Sequence, residues 1–315
     1  MKLASKISVV IPTKNGGDLF RELMTKLDRQ VTSFSYEIII VDSGSRDNTK
    51  EVAAKYGARV LNVPSHEFNH GATRNVGIKA CDGEIVVLMT QDAIPANASL
   101  LEALARPFFI DPNVAGAYAR QSPRPEADAL TARNLNLWLT GRNEAEIRWI
   151  EDRNVYDKMS PLERYLFCNF DNVCSAIRRN VWQEMPFNPM NFGEDVDWSK
   201  RVLEAGWKIG YIPDAHVIHS HDRPISYEYK RTYMCHQTLY RLFGLCTVPS
   251  PKHALKSLAY ATLSDWRFVV QQRLPLQEKL KLALKIPSLA MASVWGQYAG
   301  ARDGRLGLSK KKSGV

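Results

Sequence analysis

Five cysteines in 315 residues form no C-x-x-C pair, and their odd number leaves one over. That argues against a cysteine zinc site and a disulfide framework, and fits a reducing compartment. No uninterrupted apolar run approaches the roughly 20 residues a spanning helix needs. After the polar opening Met1–Lys6, the run Ile7 to Pro12 is too short for a signal core, so no secretory leader is expected. Cytosol is the expected compartment. Internal repeats are lacking, and low complexity is confined to the last few residues. Nor is there an excess of either charge over most of the chain. Lys252 to Val315 carries 12 Lys/Arg against 3 Asp/Glu, whereas the rest carries 30 of each sign. A basic end of this kind attracts phosphate-rich partners, either nucleic acid or an anionic lipid surface. Its plain alternative is a solvated helix face with a disordered tail from about 308 to 315. No aromatic-and-basic strand motif accompanies the charge, so nucleic acid is not the expected partner.

What is present suits one large α/β domain with an appendage: 45% apolar, 10% aromatic and 24% charged residues. Strands are expected at Ile7–Ile11, Glu37–Val41, Arg59–Val63 and Ile85–Met89. Helices are expected at Asp18–Gln30, Thr49–Tyr56, Ala72–Ala80 and Asn97–Phe108. Such alternation, with near-continuous apolar strands, implies a mostly parallel central sheet covered on both faces. Beyond it, Glu194 to Ala205 reads as a helix ended by Gly206. From Ile225 the pattern is helical, punctuated at Pro249-Ser250-Pro251, Pro275 and Pro287. The expected division is 1–226, made of a nucleotide-binding half (1–112) and an acceptor-binding half (113–226), followed by a helical basic region, 227–315.

Ligands of open sheets bind beyond the carboxyl ends of the strands. Asp42 stands at such an end, after Ile38-Ile39-Ile40-Val41, too early to cap the helix that Asp47 or Asn48 starts. There it can accept hydrogen bonds from a base N–H or a ribose hydroxyl. Asp92 follows Ile85–Met89 and precedes Pro95; a hard divalent cation on a diphosphate often takes only one or two protein carboxylates. An Asx-turn is the competing reading for Asp92. Glu194 and Asp195 follow Gly193 at a helix start, where unpaired N–H groups and the dipole stabilise anions. His219-Ser220-His221 lies just past an apolar run, where two imidazoles around a turn can reach one ion. Lys279 to Ile286 intersperses Leu280, Leu282, Leu284 and Ile286 with lysines and runs on to Met291, Val294 and Trp295. That reads as a helix lying on lipid, with core packing as the rival.

Ile11-Pro12-Thr13-x-Asn15, Val41-Asp42-Ser43-Gly44-Ser45-x-Asp47-x-Thr49, Gly71-x-x-Arg74-Asn75, Gln91-Asp92, Gly193-Glu194-Asp195-x-Asp197-Trp198 and His219-Ser220-His221 occur in that order. This set, over about residues 7–240, resembles family 2 glycosyltransferases of the GT-A type fold. Phe68-Asn69-His70-Gly71-Ala72-Thr73-Arg74-Asn75 and Thr90-Gln91-Asp92-Ala93 resemble the bacterial rhamnosyltransferase branch in particular. The resemblance implies an inverting, nucleotide-sugar-dependent hexosyltransferase of surface-polysaccharide synthesis, with dTDP-L-rhamnose as donor. Its acceptor would be a glycan or lipid-pyrophosphate-linked sugar at the inner face of the membrane. Asp195 would then be the catalytic base, and Asp92, His219 and His221 the ligands of Mg²⁺ or Mn²⁺. Pro12, Thr13, Asn15, Asp42, Arg74, Gln91 and Arg231 would bind the donor, and Glu194 and Trp198 the acceptor. The chain departs from the common Asp-x-Asp by reading Thr90-Gln91-Asp92, one carboxylate short. A sugar-1-phosphate nucleotidyltransferase is the alternative enzyme, but Pro12-Thr13-Lys14-Asn15-Gly16-Gly17 is a poor phosphate loop and Glu194-Asp195 would go unexplained.

Overall fold

The structure is a computed structural model that describes residues 6–221 and 224–308. The tail expected over 308–315 therefore lies, Leu308 aside, outside the described residues. The chain forms two compact units. The first comprises 1–126, 134–157 and 167–220; the second comprises 127–133, 158–166 and 221–315.

The first unit is built on nine strands: β1 (Lys6–Thr13), β2 (Ser35–Asp42), β3 (Arg59–Asn62), β4 (Ile85–Met89), β5 (Ile94–Pro95), β6 (Val114–Ser122), β7 (Glu146–Arg148), β8 (Cys174–Arg178) and β9 (Lys208–Ile218). They form one sheet in the order β3-β2-β1-β4-β8-β6-β9-β5, with β7 paired to β9. The first four are parallel. The chain steps outward from β1 to β3 and then returns to place β4 on β1's other side. That reversal is the switch point at which an α/β sheet opens a crevice. Beyond it the sheet is mixed: β8 runs antiparallel between β4 and β6, while β9 is parallel to β6. β9 is one strand whose register against β6 skips from Ile212 to His216.

Helices α1 (Gly17–Asp28), α2 (Thr49–Lys55), α3 (His70–Lys79) and α4 (Leu100–Ile110) follow the parallel strands. Each lies within a few residues of its expected span. On α1, Phe20, Leu23, Met24 and Leu27 make one buried stripe at helical spacing. β1 and β4 are buried almost throughout because helices cover both faces. Each such side chain contributes about 1.5–3 kcal/mol of transfer free energy. Shorter helices follow, α5 (Ala129–Leu137), α6 (Arg153–Lys158), α7 (Pro161–Phe167) and α8 (Arg179–Glu184), before α9 (Glu194–Glu204).

The second unit is dominated by α10 (Ile225–Phe243), α11 (Pro251–Gln271) and α12 (Leu276–Arg305). Pro249–Pro251 and Pro275 punctuate as expected. Pro287 does not: α12 continues through it. The Leu280–Ile286 stripe also divides. Leu282 and Ile286 join Leu130 and Val269 in a core, whereas Leu280 and Leu284 stay exposed. Gly296, Gly300 and Gly304 line the face of α12 against α10; a Cβ at Gly300 would come within 2.2 Å of the Tyr233 carbonyl. No helix among the described residues is long and apolar enough to cross a membrane.

Candidate active site

The in-register pairing of β1 with β2 sets Thr13 opposite Asp42. Asp42 is fully buried. Its Oδ1 accepts from the backbone N–H of Gly44 (3.1 Å) and Ser45 (2.9 Å), and its Oδ2 from the hydroxyls of Thr13 and Ser45. Lys50 Nζ stands 3.4 Å away. Burial pushes the Asp42 pKa up, but the hydrogen bonds from Ser45, Thr13 and Gly44 outweigh it and hold the carboxyl below its ordinary value. Asn15, at a left-handed φ of 48°, gives its N–H to Ser45 Oγ and takes that of Arg46 on Oδ1. Gln91 accepts from the Lys14 N–H (2.8 Å) and donates to the Lys14 carbonyl (3.2 Å). Pro12, Thr13, Asn15, Asp42 and Gln91 are thus laced together at the parallel strands' carboxyl ends.

Asp92 follows directly, its backbone carbonyl held by an Arg124 guanidinium N–H at 2.7 Å. Across from it, at the end of β9, His219 Nε2 is 3.7 Å from Asp92 Oδ1. The other ring nitrogen, Nδ1, meets Gln121 Oε1 at 3.2 Å, and Gln121 Nε2 donates to Asp171 Oδ2 at 2.9 Å. A carboxylate only accepts, so the amide N–H of Gln121 must face Asp171 and its oxygen must face His219. In the neutral ring Nδ1 then carries the proton, and Nε2 turns its lone pair toward Asp92. Two acceptors meeting in this way suit a cation between them. One ligand atom each of Asp92, His219 and His221 lies within 4.8 Å of the others. A single residue separates His221 from His219, so its place follows from the chain leaving β9. The donor set fits a divalent cation with further oxygen ligands; imidazole beside carboxylate suits Mn²⁺ better than Mg²⁺.

Gly193, at a left-handed φ of 79°, turns the chain into α9. Asp195 in the first turn accepts the Asn172 N–H on Oδ2 (3.3 Å) and its neighbour Val196's N–H on Oδ1. Desolvation, then repulsion from Glu194 and from Asp171, push its pKa well above the carboxylate range. The Val196 N–H and the charge of Arg74 offset this only in part. A carboxylate so placed has a high proton affinity at a helix start.

Three of the expected site residues are buried and partnered within the protein. Arg74, expected on the donor, is buried in α3 and spends its guanidinium on Glu194 Oε1 at 2.7 Å. Glu194, expected on the acceptor, is buried in that pair and also accepts from Asn172 Nδ2. Trp198 is fully buried, its ring against Phe170 and Phe187 and its Nε1–H on the Met185 carbonyl. Gly71 belongs to the same joint: a Cβ there would stand 2.0 Å from the Asn188 carbonyl. Arg231 is exposed on α10, in the second unit.

Sequence reasoning missed Gln121, Arg124, Asp171 and Asn172. Because β8 runs antiparallel, its amino-terminal approach, 171–173, lies beside the carboxyl end of β4: Met89 pairs with Cys174, and the Thr90 N–H reaches the Val173 carbonyl. The polar run Asn169-Phe170-Asp171-Asn172 before an apolar strand was the available signal. These residues lie between Asp195 and the Asp92–His219 pair: Asp195 meets Asn172 and the charge of Asp171, and Asp171 leads through Gln121 to His219 and Asp92.

Comparison with known proteins gives the family and the fold. The chain is 31% identical over 234 residues to the O-antigen chain rhamnosyltransferase RfbN of Salmonella typhimurium, covering 72% of this chain and 70% of that protein. It is 30% identical over 251 residues to the O-antigen chain rhamnosyltransferase WbaN of Salmonella anatum, covering 75% of each. Among solved structures, the mannosyltransferase PcManGT from Pyrobaculum calidifontis, in complex with GDP-Man and Mn²⁺, superposes with a TM-score of 0.59. That match has 17% identity and covers 98% of this chain and 89% of that one; at such identity it shows the GT-A fold alone. The glycosyl transferase family 2 profile matches residues 8–181. It spans Asp42, Asp92 and Asp171, and on that match the chain belongs to glycosyl transferase family 2.

Proposed function

We propose that this glycosyltransferase moves L-rhamnose, with inversion, from dTDP-L-rhamnose to a hydroxyl of a growing surface glycan carried on a lipid pyrophosphate. The observation that carries the reading is Asp195: a carboxylate of raised proton affinity, linked to the Asp92–His219 pair through the Asp171-Asn172 segment and Gln121. Asp195 takes the proton of the acceptor hydroxyl as that oxygen bonds to the anomeric carbon. The bond from this carbon to the diphosphate breaks on the opposite face, and the nucleoside diphosphate leaves with the electron pair. Asp92, His219 and His221 would hold Mn²⁺ or Mg²⁺, which when bound supplies positive charge to the leaving diphosphate. The loops bearing Pro12, Thr13, Asn15, Asp42 and Gln91 would cradle the nucleotide, with Asp42 fixed as an anion ready to accept from the base or ribose. The rhamnose assignment draws on the two Salmonella relatives, each named an O-antigen chain rhamnosyltransferase. A lipid-borne acceptor puts the work at the cytoplasmic face of the membrane.

Release of nucleoside diphosphate should be measured with dTDP-, UDP- and GDP-sugars and a lipid-linked acceptor, with Mn²⁺ and with chelator. The expected result is dTDP release that requires the cation and is lost in Asp195→Asn. Full turnover in that variant sinks the assignment of the base, and a preference for UDP- or GDP-sugars sinks the rhamnose donor.

A further inference from the structure

We infer that the α11–α12 hairpin is a bilayer-docking surface for anionic lipid, lying on the membrane with its apolar face down. On α12, Leu276, Leu280, Leu284, Met291 and Trp295 are all exposed, Leu284 at 81%. At 3.6 residues per turn these positions fall within an arc of about 100°, the width of one apolar helix face. On α11, Leu255, Leu263, Trp266 and Val270 are exposed along a similar arc. The two stripes run level and antiparallel. Ala254 packs with Val294, Trp266 Nε1 donates to the Ala283 carbonyl, and Lys279 Nζ donates to the Val270 carbonyl. The inward faces of the same helices hold Val269, Leu282 and Ile286, so the core is already supplied and the outer stripes are additional. An apolar face this long on a helix pair in water needs an occupant.

Charge identifies it. From residue 251 to 298 there are seven Lys/Arg and two Asp/Glu. Of the acids, Asp265 is paired to Arg133; of the bases, Lys285 is paired to Asp128. Lys252, Lys256, Arg267, Arg273 and Lys281 remain exposed, with Lys256, Arg267 and Lys281 at the margins of the stripes. Long cationic side chains beside an apolar face, with Trp266, Trp295 and Tyr260 among them, suit the boundary between acyl chains and anionic headgroups. A second copy of the same face would bring cations against cations. Among the described residues no helix is long and apolar enough to span, and the mode inferred for the hairpin is to lie on the bilayer. The surface rests on the lipid-linked-acceptor reading for its purpose only; its geometry stands without it.

The test is flotation of the full-length protein with vesicles of phosphatidylcholine, with and without phosphatidylglycerol, across a salt series. Binding to the anionic vesicles alone, weakening as salt rises, is expected. Leu280→Ser combined with Leu284→Ser should lower partitioning at least about tenfold. Lys256→Gln and Lys281→Gln should each lower it about fivefold and flatten the salt dependence. Circular dichroism and donor-dependent nucleoside diphosphate release in vesicle-free buffer should stay at wild-type levels in all three. Absence of binding at low salt, or serine variants that float like wild type, overturns the proposal. So does gel filtration showing a wild-type dimer that the serine variants lose. Failure of the glycosyltransfer reading would appear instead in the vesicle-free assay, with flotation unaffected.

Discussion

Asp42 and Asp195 are both acids at the ends of secondary structure elements in one unit, and the fold treats them in opposite ways. Asp42 is ringed by donors: two backbone N–H groups, two hydroxyls and an ammonium. Asp195 is crowded by acids, Glu194 and Asp171, with a single backbone donor on the oxygen that does not face its own helix. The first arrangement lowers a pKa and the second raises it, although both residues are removed from water. Burial by itself therefore does not set a carboxylate's role; the neighbours do. An acid ringed by donors stays ionised and satisfied, while one crowded by acids and short of donors wants a proton, which is what the proposed general base requires.

The strongest way to break the contrast is Asp195→Asn, which should lower turnover by about 10²–10⁴-fold, as loss of a general base does. The same change should raise thermal stability at neutral pH. A carboxyl whose pKa is raised on folding stabilises the fold when protonated, and that stability is lost as pH climbs from the unfolded value through the folded one. Melting curves of the two proteins should therefore converge in acid and separate toward neutrality. Next in size, Arg74→Met leaves Glu194 buried without its cation, which costs about 3–5 kcal/mol. Whatever activity remains should show its acid limb displaced to higher pH, because Arg74 opposes the rise in the Asp195 pKa. A pH–rate profile that does not move would show that the two groups are not coupled. Asp42→Ala strands the hydroxyls and N–H groups of the second loop, at about 1–3 kcal/mol for each group left unsatisfied. Its linkage has the opposite sign: wild type owes Asp42 stability above the ordinary carboxylate pKa and loses it as pH falls through the lowered one, so the gap from Asp42→Ala should close in acid. The smallest effect expected is on Gln121→Leu, read by titrating Mn²⁺ in the presence of dTDP. Releasing the His219 tautomer should weaken binding about 10–100-fold, the usual cost of losing a ligand's outer hydrogen bond. Gln121→Glu should fare no better, since a carboxylate beside Asp171 repels it.

Fold class and most of the elements over residues 1–112 were legible because parallel strands covered on both faces are apolar without interruption, and Ile85–Met89 matches its expected span residue for residue. The placing of Asp42 and Asp92 followed from the rule that such sheets open at their carboxyl ends. The burial of Arg74, Glu194 and Trp198 was not legible, because a motif fixes which residues occur and not which way a helix turns them. Pro287 was read as a stop, yet α12 continues through it.

The chain alone determined the alternation of strands and helices, the acids that end two of the strands, and the confinement of the excess positive charge to its last fifth. Those are local properties, set by side-chain period and by the chemistry of neighbours in sequence. Only the tertiary structure decided that β8 enters antiparallel and carries Asp171 and Asn172 to the strand mouths. It likewise decided that Glu194 is neutralised by Arg74 while Asp195 is not, and that Leu282 is core while Leu284 meets water. Strand direction and the partition of a helix between two faces depend on contacts between residues far apart in the chain, and no local pattern encodes them.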